Sequence, residues 1–549
     1  MFWSRLIGLF LPNLFMGAGM VAASRRLMHY FQLESYQFQG YFRTLRRQWK
    51  KSVLPYAGLG LGWFLFFGVS RALMTRGHAL LFSPFETKKP LSLLAVVAYL
   101  IVDAVLLYSA WMMRDLAVRQ PAKKKFALTS RMKRLYGILA VLTALLLWGS
   151  SALGLSYGGW GLAAALLPLL LPLAAVLALP VEKCIFRLYF RDAEKRLLAN
   201  PNLIRIGITG SYGKTSVKFI LAEILSQKYR VLATPSSFNT PMGVTRIVRE
   251  RLEPSHQVFI GEMGARHVGE IRELCRLVHP GIGVLTAVGP QHLDTFRTID
   301  RIKNTKYELI DALPPDGFAV FSDDGALVTE LFHRDAACMK ALAGRPGDDA
   351  WADEITLSGE GSRFMLHLKG EEPFPCQTVL LGAHNIQNIL LCAVVARHLG
   401  LTHEQISRGI ARLKPVEHRL QLLHTPGDIT VIDDAFNTNP RSSALALDVL
   451  SAFSGRRIIV TPGMVELGAE EKKFNFDFGV RIASSADEVF LVGQKHTQPI
   501  CEGLRSAGFP AEHLHVCASL QEATDMLHGM MRAGDIIMYE NDLPDHYSE

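Results

Sequence analysis

The stretch Ile206-Gly-Ile-Thr-Gly-Ser-Tyr-Gly-Lys-Thr-Ser216 sets a lysine and two hydroxyls directly after two spaced glycines. That grouping suits a nucleoside triphosphate. Gly210 and Gly213 let backbone N–H groups close on phosphate oxygens, Lys214 brings a point charge, and the Thr215 hydroxyl can reach Mg²⁺. Ser211 and Ser216 complete the candidate phosphate-binding set. The spacing departs from the usual P-loop, because Ile208 stands where its first glycine belongs. A glycine turn with a chance lysine is the plain alternative, and the flanks argue against it. Leu203–Ile208 has strand character, and Val217–Leu225 repeats apolar residues at helical spacing.

Other polar residues fall at the ends of apolar runs, where open α/β sheets place their ligands. Glu262 closes one such run, and its carboxylate could hold Mg²⁺ directly or through water. His292 follows the Gly289-Pro290 turn of the next. Asp433 and Asp434 end a run near the C-terminus, ahead of Asn437, Asn439 and Pro440. Taken singly, Glu262 reads equally as a solvated strand-end charge and His292 as a satisfied loop histidine. The asparagines alone read as helix caps.

These residues need a frame, and from residue 203 onward the pattern supplies one. Short β-branched strands alternate with helices, the signature of a doubly wound α/β sheet. Candidate strands are Leu203–Ile208, Val258–Glu262, Ile282–Ala287 and Phe318–Phe321. A more irregular, antiparallel part spans about 350–381, followed by an apolar helix over Asn385–Leu399. A second α/β unit starts near 415, with strands Ile429–Asp433, Arg457–Val460, Glu488–Val492 and Ile536–Tyr539. Helices at 441–452, 471–485, 497–506 and 519–532 alternate with them.

The first two hundred residues differ in kind. Residues 1–200 hold 25 Lys+Arg against 7 Asp+Glu, and the remainder 34 against 43, so a net +9 conceals +18 and −9. The basic excess lies between apolar stretches, which points to a bilayer and not to nucleic acid. Val53–Val69, Leu91–Met112, Tyr136–Leu155 and Trp160–Leu179 are each about long enough to span. Phe2–Ala22 reads as a fifth span or as an interfacial helix. The basic segments 23–52 and 113–135 belong in the cytoplasm, which five spans with the N-terminus outside satisfy. Val181–Asn200 reads as a basic amphipathic helix leaving the membrane. Asp103, in mid-span, is a functional carboxylate or a contact within the bundle. Seven scattered cysteines form no Cys-x-x-Cys pair and indicate neither a zinc site nor a disulfide framework.

Eight stretches carry a family resemblance over some 240 residues. They are Thr209-Gly-Ser-Tyr-Gly-Lys-Thr215, Ser237-Phe-Asn-Thr-Pro-Met-Gly-Val244, Glu262-Met-Gly-Ala-Arg-His-Val-Gly-Glu-Ile271 and Val288-Gly-Pro-Gln-His-Leu293. After them come Lys303-Asn-Thr-Lys-Tyr-Glu308, Gly382-Ala-His-Asn-Ile-Gln-Asn388, His418-Arg-Leu-Gln421 and Asp433-Asp-Ala-Phe-Asn-Thr-Asn-Pro440. In this order they resemble the Mur ligases, ATP-dependent amide-bond-forming enzymes of bacterial cell-wall synthesis, and within them the D-alanyl-D-alanine-adding type. The resemblance implies an N-terminal substrate domain, a central ATPase and a C-terminal Rossmann-like domain in typical members; with the apolar spans read above, this chain is expected to have four parts. These are a transmembrane region at 1–182, a linker helix at 183–202, a central ATP-binding domain at 203–414 and a C-terminal Rossmann-like domain at 415–549.

The resemblance also implies a chemistry. A substrate carboxylate attacks the γ-phosphate of ATP to give an acyl phosphate, and an amine then displaces phosphate. Lys214, His292 and Lys306 would be catalytic. Thr215 and Glu262 would hold one Mg²⁺, with His292 and a CO₂-derived carbamate on Lys306 at a second. Lys303, one turn earlier, competes with Lys306 for the carbamate. Asn385 and Asn388 match positions near adenine, Asp434, Asn437 and Asn439 match C-terminal nucleotide contacts, and Arg419 matches an inter-domain arginine.

Three departures matter. Phe321-Ser322-Asp323-Asp324 replaces an asparagine-containing motif. Glu540-Asn-Asp-Leu-Pro-Asp545 stands where Lys-Gly-Ser is usual after the last strand. Membrane spans occupy the place of the domain that holds the UDP end of the usual substrate. The leading expectation is therefore a ligase of the bacterial cytoplasmic membrane, with its catalytic domains in the cytoplasm. It would join an amino acid or dipeptide amine to a lipid-linked cell-envelope precursor that bears a carboxylate. A poly-γ-glutamate or capsule-type polymer ligase and a catalytically inactive nucleotide-binding scaffold are the alternatives.

Overall fold

The computed structural model describes residues 10–34, 36–81, 108–109, 111–112, 114–115, 126–153, 155–236, 238–323, 325–425, 427–436, 438–465 and 467–542. The chain divides into two compact units at Ile185 and Phe186. Asp103, Asn437 and most of Leu91–Met112 lie outside the described residues, as does the start of Phe2–Ala22.

The first unit is helical, with Phe10–Ala23, Arg25–Leu33, Phe38–Arg47, Trp49–Ser52, Leu54–Leu81, Ser130–Ala152 and the first part of Ser156–Leu198. Its core gathers Leu27, Met28, Tyr41, Tyr56, Leu59, Trp63, Leu139, Leu147 and Leu171. One polar chain crosses this apolar interior: the Trp160 indole donates to Asn13 Oδ1 at 2.7 Å, and Asn13 Nδ2 donates to Ser151 at 3.1 Å. Among the described residues two helices, Ser130–Ala152 and Gly158–Leu198, are long and apolar enough to cross a membrane, and Leu54–Phe66 is a shorter apolar helix. Five spans are therefore not seen among these residues.

The expected span Trp160–Leu179 and the basic helix expected at Val181–Asn200 fall on a single helix. Ser156–Leu198 is one helix of 43 residues with Pro168, Pro172 and Pro180 inside it. Each proline removes one backbone donor. Leucine flanks Pro168 and Pro172 on both sides and precedes Pro180, and such strong helix formers carry the helix through.

In the second unit the β-branched runs become strands. The first sheet contains β1 (Ile204–Thr209), β2 (Val231–Ala233), β3 (Val258–Glu262), β4 (Ile282–Leu285), β5 (Phe318–Ser322), β6 (Met339–Gly344), β7 (Ala350–Ser358), β8 (Gly361–Leu368) and β9 (Phe374–Thr378). Their order is β2-β3-β1-β4-β5-β6-β7-β8-β9, parallel up to β7 and antiparallel beyond. The antiparallel part expected at 350–381 thus continues the central sheet. Alternate residues feed opposite faces, the period-two rule of a strand. Ile206, Ile208, Ile260 and Val284 meet the helices Lys214–Leu225 and Ala383–His398, while Phe259, Leu285 and Phe321 face those at Glu270–Val278 and Ile299–Asp311.

The second sheet contains β10 (Gln421–Thr425), β11 (Ile429–Asp434), β12 (Arg457–Thr461), β13 (Glu488–Val492), β14 (Leu514–Cys517) and β15 (Ile536–Glu540). Its order is β10-β11-β15-β12-β13-β14, with only β10 antiparallel to its neighbour. In the first sheet the chain runs from β1 outward past β3 to β2, and later returns to β4 on the other side of β1. The end of β1 is therefore a topological switch point, the position where such sheets take a ligand.

Candidate nucleotide and metal site

The turn after β1 is held open by backbone conformation. Gly213 has φ +77° and precedes the helix Lys214–Leu225, a left-handed geometry that a side chain resists. Gly210 has no room for one: a Cβ there would lie 2.0 Å from Thr286 Oγ1. The segment after β4 braces the turn. Ser211 Oγ donates to Gly289 O at 3.0 Å, the Tyr212 hydroxyl donates to Pro290 O at 2.8 Å, and Thr286 Oγ1 donates to Thr209 O at 3.2 Å. His292 follows two residues later with φ +53°, its carbonyl accepting from Thr295 and Phe296.

Lys214 Nζ donates to the carbonyls of Gly210 at 2.7 Å and Ser211 at 3.0 Å. Its charge therefore sits over the turn where phosphate would lie. Burial lowers its pKa to about 8, with Glu262 opposing and Arg419 reinforcing the shift. Thr215 is next on the helix, and its hydroxyl lies 3.2 and 3.1 Å from the two Glu262 oxygens.

Glu262, the last residue of β3, is only 1 % exposed. Besides Thr215 it receives Lys218 Nζ on Oε2 at 2.9 Å and Asn239 Nδ2 on Oε1 at 3.1 Å. Lys218 is fully buried and also donates to the Ser236 carbonyl. Burial pushes the Glu262 carboxyl up, but the lysines Lys218 and Lys214 outweigh it and the pKa ends below the usual value. The carboxylate is thus held ionised, a condition for any metal ligand.

Lys306, on the helix Ile299–Asp311, is 3 % exposed. Burial, then the charge of Lys214, lower its pKa to about 7, while Glu270 and Glu308 oppose. Lys303 is in a different situation. Its ammonium donates to Glu330 at 2.8 and 2.9 Å and lies 3.0 Å from Asp300. Those hydrogen bonds raise its pKa.

Asn385 and Asn388, on the helix Ala383–His398, are both buried. Asn388 Oδ1 lies 3.0 Å from the point where a Gly213 Cβ would stand, which sets this asparagine against the phosphate turn. From the second sheet, Arg419 lies over the Phe436 ring at 4.3 Å. Its charge is felt at both Lys214 and Asp434, and Glu262 is felt in turn at Arg419. Burial lifts Asp434 to about 7, with Arg419 opposing. Asn439 caps the helix Pro440–Ser451, its Oδ1 accepting from the amides of Arg441 and Ser442 at 3.0 Å each.

The structure therefore brings Gly210, Ser211, Gly213, Lys214, Thr215, Glu262, Asn388 and Arg419 into one region, with Lys306 and Asp434 coupled to it by charge. Ser216 follows on the same helix, half-buried. Among the described residues, no three His, Cys, Asp or Glu side chains converge as a ready metal cage. Lys218 escaped the sequence reading. It lies four residues after Lys214, hence on the same helix face, and a lysine between Val217 and Phe219 was its only signal.

Comparison with known proteins gives the family. The Mur ligase middle domain matches residues 208–396, and the Mur ligase glutamate ligase domain matches 418–539. A UDP-N-acetylmuramoyl-tripeptide–D-alanyl-D-alanine ligase of Mycobacterium bovis is 33 % identical over 364 residues, covering 62 % of this chain and 71 % of that one. The chain belongs to the Mur ligase family. The Bacillus subtilis ligase of the same description is 30 % identical over 294 residues, or 53 % of this chain and 62 % of the relative, so the match spans less than two thirds of that protein. The crystal structure of MurF from Acinetobacter baumannii superposes with a TM-score of 0.60 at 26 % identity, covering 66 % of this chain and 78 % of that one. A Thermotoga maritima MurF, solved with ADP, shares the fold with a TM-score of 0.58 at 24 % identity, covering 65 % and 80 %.

Proposed function

We propose that this Mur ligase activates a carboxylate of a peptidoglycan precursor and joins it to an amine, with a D-alanyl-D-alanine dipeptide as the favoured acceptor. The carboxylate oxygen forms a bond to the γ-phosphorus as the bond to ADP breaks. The amine nitrogen then attacks the acyl carbon, phosphate leaves, and the amine proton passes to solvent or a base. One observation carries this reading: a glycine-turn lysine, a buried ionised glutamate and a depressed-pKa lysine are coupled within one electrostatic cluster. Two anions must approach each other in such a reaction, so positive charge fixed in advance supplies the catalysis.

The donors fit magnesium, which takes hard oxygen ligands. Thr215 and Glu262 would hold one ion beside the triphosphate, where it would neutralise phosphate charge. His292 and a carbamate on Lys306 would hold a second. Lys306 suits carbamoylation better than Lys303, because CO₂ adds to a neutral amine and Lys303 is kept charged by two carboxylates. Asn385, Asn388, Asp434, Asn437 and Asn439 would line the nucleotide. The division into 1–182, 183–202, 203–414 and 415–549 belongs to this proposal, as does attachment of the first part to the bacterial cytoplasmic membrane by several spans. Two apolar helices support that attachment. A lipid-linked precursor follows from it as the substrate.

The test uses the full chain in detergent or nanodiscs with ATP, Mg²⁺, bicarbonate and D-alanyl-D-alanine, offered either UDP-linked or lipid-linked muramoyl tripeptide. Expected is one added dipeptide by mass, phosphate carrying oxygen from the labelled carboxylate, and faster turnover of the lipid-linked acid. A ladder of products would favour a polymer ligase. Product without label in phosphate would refute the acyl-phosphate route. A Lys214→Ala variant that turns over ATP undiminished would refute the site.

A further inference from the structure

The last residue of β15 does something its neighbours in sequence do not announce. Glu540 is fully buried, yet both carboxyl oxygens are engaged. The Thr438 hydroxyl donates to Oε1, and the Thr461 hydroxyl donates to Oε2 at 2.7 Å. Thr438 lies immediately before Asn439, the cap of the helix Pro440–Ser451, and Thr461 ends β12. β15 runs between β11 and β12, with Glu540 in register beside Asp434. Asn541 repeats the tie one residue on: its amide donates to Asp434 O at 3.1 Å, and its Nδ2 donates to Gly463 O at 2.6 Å. Gly463 N in turn donates to Thr461 Oγ1 at 3.1 Å.

An apolar residue would fill this space at lower cost, since burying a carboxyl is unfavourable unless its hydrogen bonds are made. What a carboxyl adds is two separate contacts, because its two oxygens hold two different segments relative to each other. We propose that Glu540 is a positioning residue for nucleotide binding, clamping the Thr438–Asn439 segment against the end of β12 and so setting Asp434 and Asn439 at the nucleotide. This rests on the reading that Asp434 and Asn439 contact ATP.

The protonation state fits a clamp. Burial first, then the neighbouring Asp434, push Glu540 up to about 8 against the two threonine hydroxyls. Asp434 itself faces Arg419 and the Leu420 amide. The carboxyl is therefore mostly protonated at pH 7, where one of the two threonine oxygens accepts its proton, and above 8 it ionises, accepts from both hydroxyls and sets its charge against that of Asp434.

The experiment compares Glu540→Ala, Glu540→Gln and Thr461→Val in the full chain. Steady-state kinetics in ATP are combined with amide exchange at Thr438, Asn439, Arg441 and Ser442. For Glu540→Ala the expected result is a KM for ATP raised about tenfold, the loss of a small hydrogen-bond network, with kcat changed less than about threefold and faster exchange at those amides. Glu540→Gln, which keeps one donor and one acceptor, restores wild-type behaviour at pH 7. Between pH 7 and 9 both KM values rise as Lys214 loses its proton, and the wild-type rise is the steeper because Glu540 ionises as well. Should Glu540→Ala not fold, Thr461→Val carries the test with a smaller shift in the same direction. An unchanged KM with faster exchange overturns the proposal and leaves the ligase reading intact. Parallel pH profiles for wild type and Glu540→Gln overturn it too. Absence of ATP binding by the wild type overturns the underlying reading instead.

Discussion

Replacing Lys306 with methionine tests the proposed carbamate more sharply than any activity measurement alone. With its pKa near 7, Lys306 is about 90 % neutral at pH 8, whereas an ordinary lysine is about 0.4 % neutral. The reactive amine is thus enriched ~200-fold. Full-chain protein equilibrated with ¹³C-bicarbonate should give a carbamate resonance at pH 8 that is much weaker at pH 6. Lys306→Met should lose it, while Lys303→Met should keep it, since Glu330 and Asp300 hold that ammonium charged. Ligase turnover should fall by about 10²–10³ in Lys306→Met, the cost of removing one preorganised group at reacting phosphate. A stability signature accompanies this. The folded pKa lies below the unfolded one, so the burial penalty is complete below pH 7 and is relieved as pH rises toward 10.5. A shift of that size corresponds to about 5 kcal/mol. Lys306→Met should therefore raise the thermal midpoint over wild type more at pH 6 than at pH 9. A carbamate signal that survives in Lys306→Met, or one lost in Lys303→Met, would refute the reasoning.

Gly210→Ala should abolish ATP binding in calorimetry, because its Cβ would meet Thr286 Oγ1 at 2.0 Å; binding within about threefold of wild type would refute that steric account. Lys218→Met should destabilise the nucleotide domain by about 3–5 kcal/mol by leaving Glu262 buried without its ammonium, and adding Glu262→Gln should recover most of the loss in denaturant titration. Phe490→Ala, at a fully buried position of β13, should cost about 3–5 kcal/mol through the cavity it leaves, seen as earlier unfolding of the C-terminal domain with ATP affinity unchanged. Protein lacking 1–182 should lose co-sedimentation with phospholipid vesicles; full retention would remove the membrane reading.

Buried parallel strands were the easiest elements to read. Val258–Glu262 and Glu488–Val492 are bounded as expected, β1 is shifted by one residue at each end, and β4, β5, β11, β12 and β15 differ by one or two residues at one end. Each is a β-branched run long enough to override local ambiguity. β2, β10 and β14 were missed, being three to five residues long with mixed polarity and stabilised by neighbours distant in sequence. β6 was hidden because it opens on an exposed methionine and a half-buried lysine and so does not read as an apolar run. At the site, residues with a distinctive spacing were legible: the glycine turn, Lys214, Thr215 and Glu262. Lys218 and Glu540 were not, because a buried charge is defined by partners 44 to 102 residues away.

The Lys218 ammonium occupies a Glu262 oxygen that a divalent ion would also seek, and Thr215 and Asn239 crowd the remainder. Such a carboxylate competes poorly for a strongly hydrated cation on its own. Magnesium should therefore associate weakly with the bare protein and arrive as the nucleotide's escort, its charge already half spent on phosphate. Order of addition would then be written into a single side-chain contact: the lysine guards the glutamate until triphosphate brings the ion that can share it.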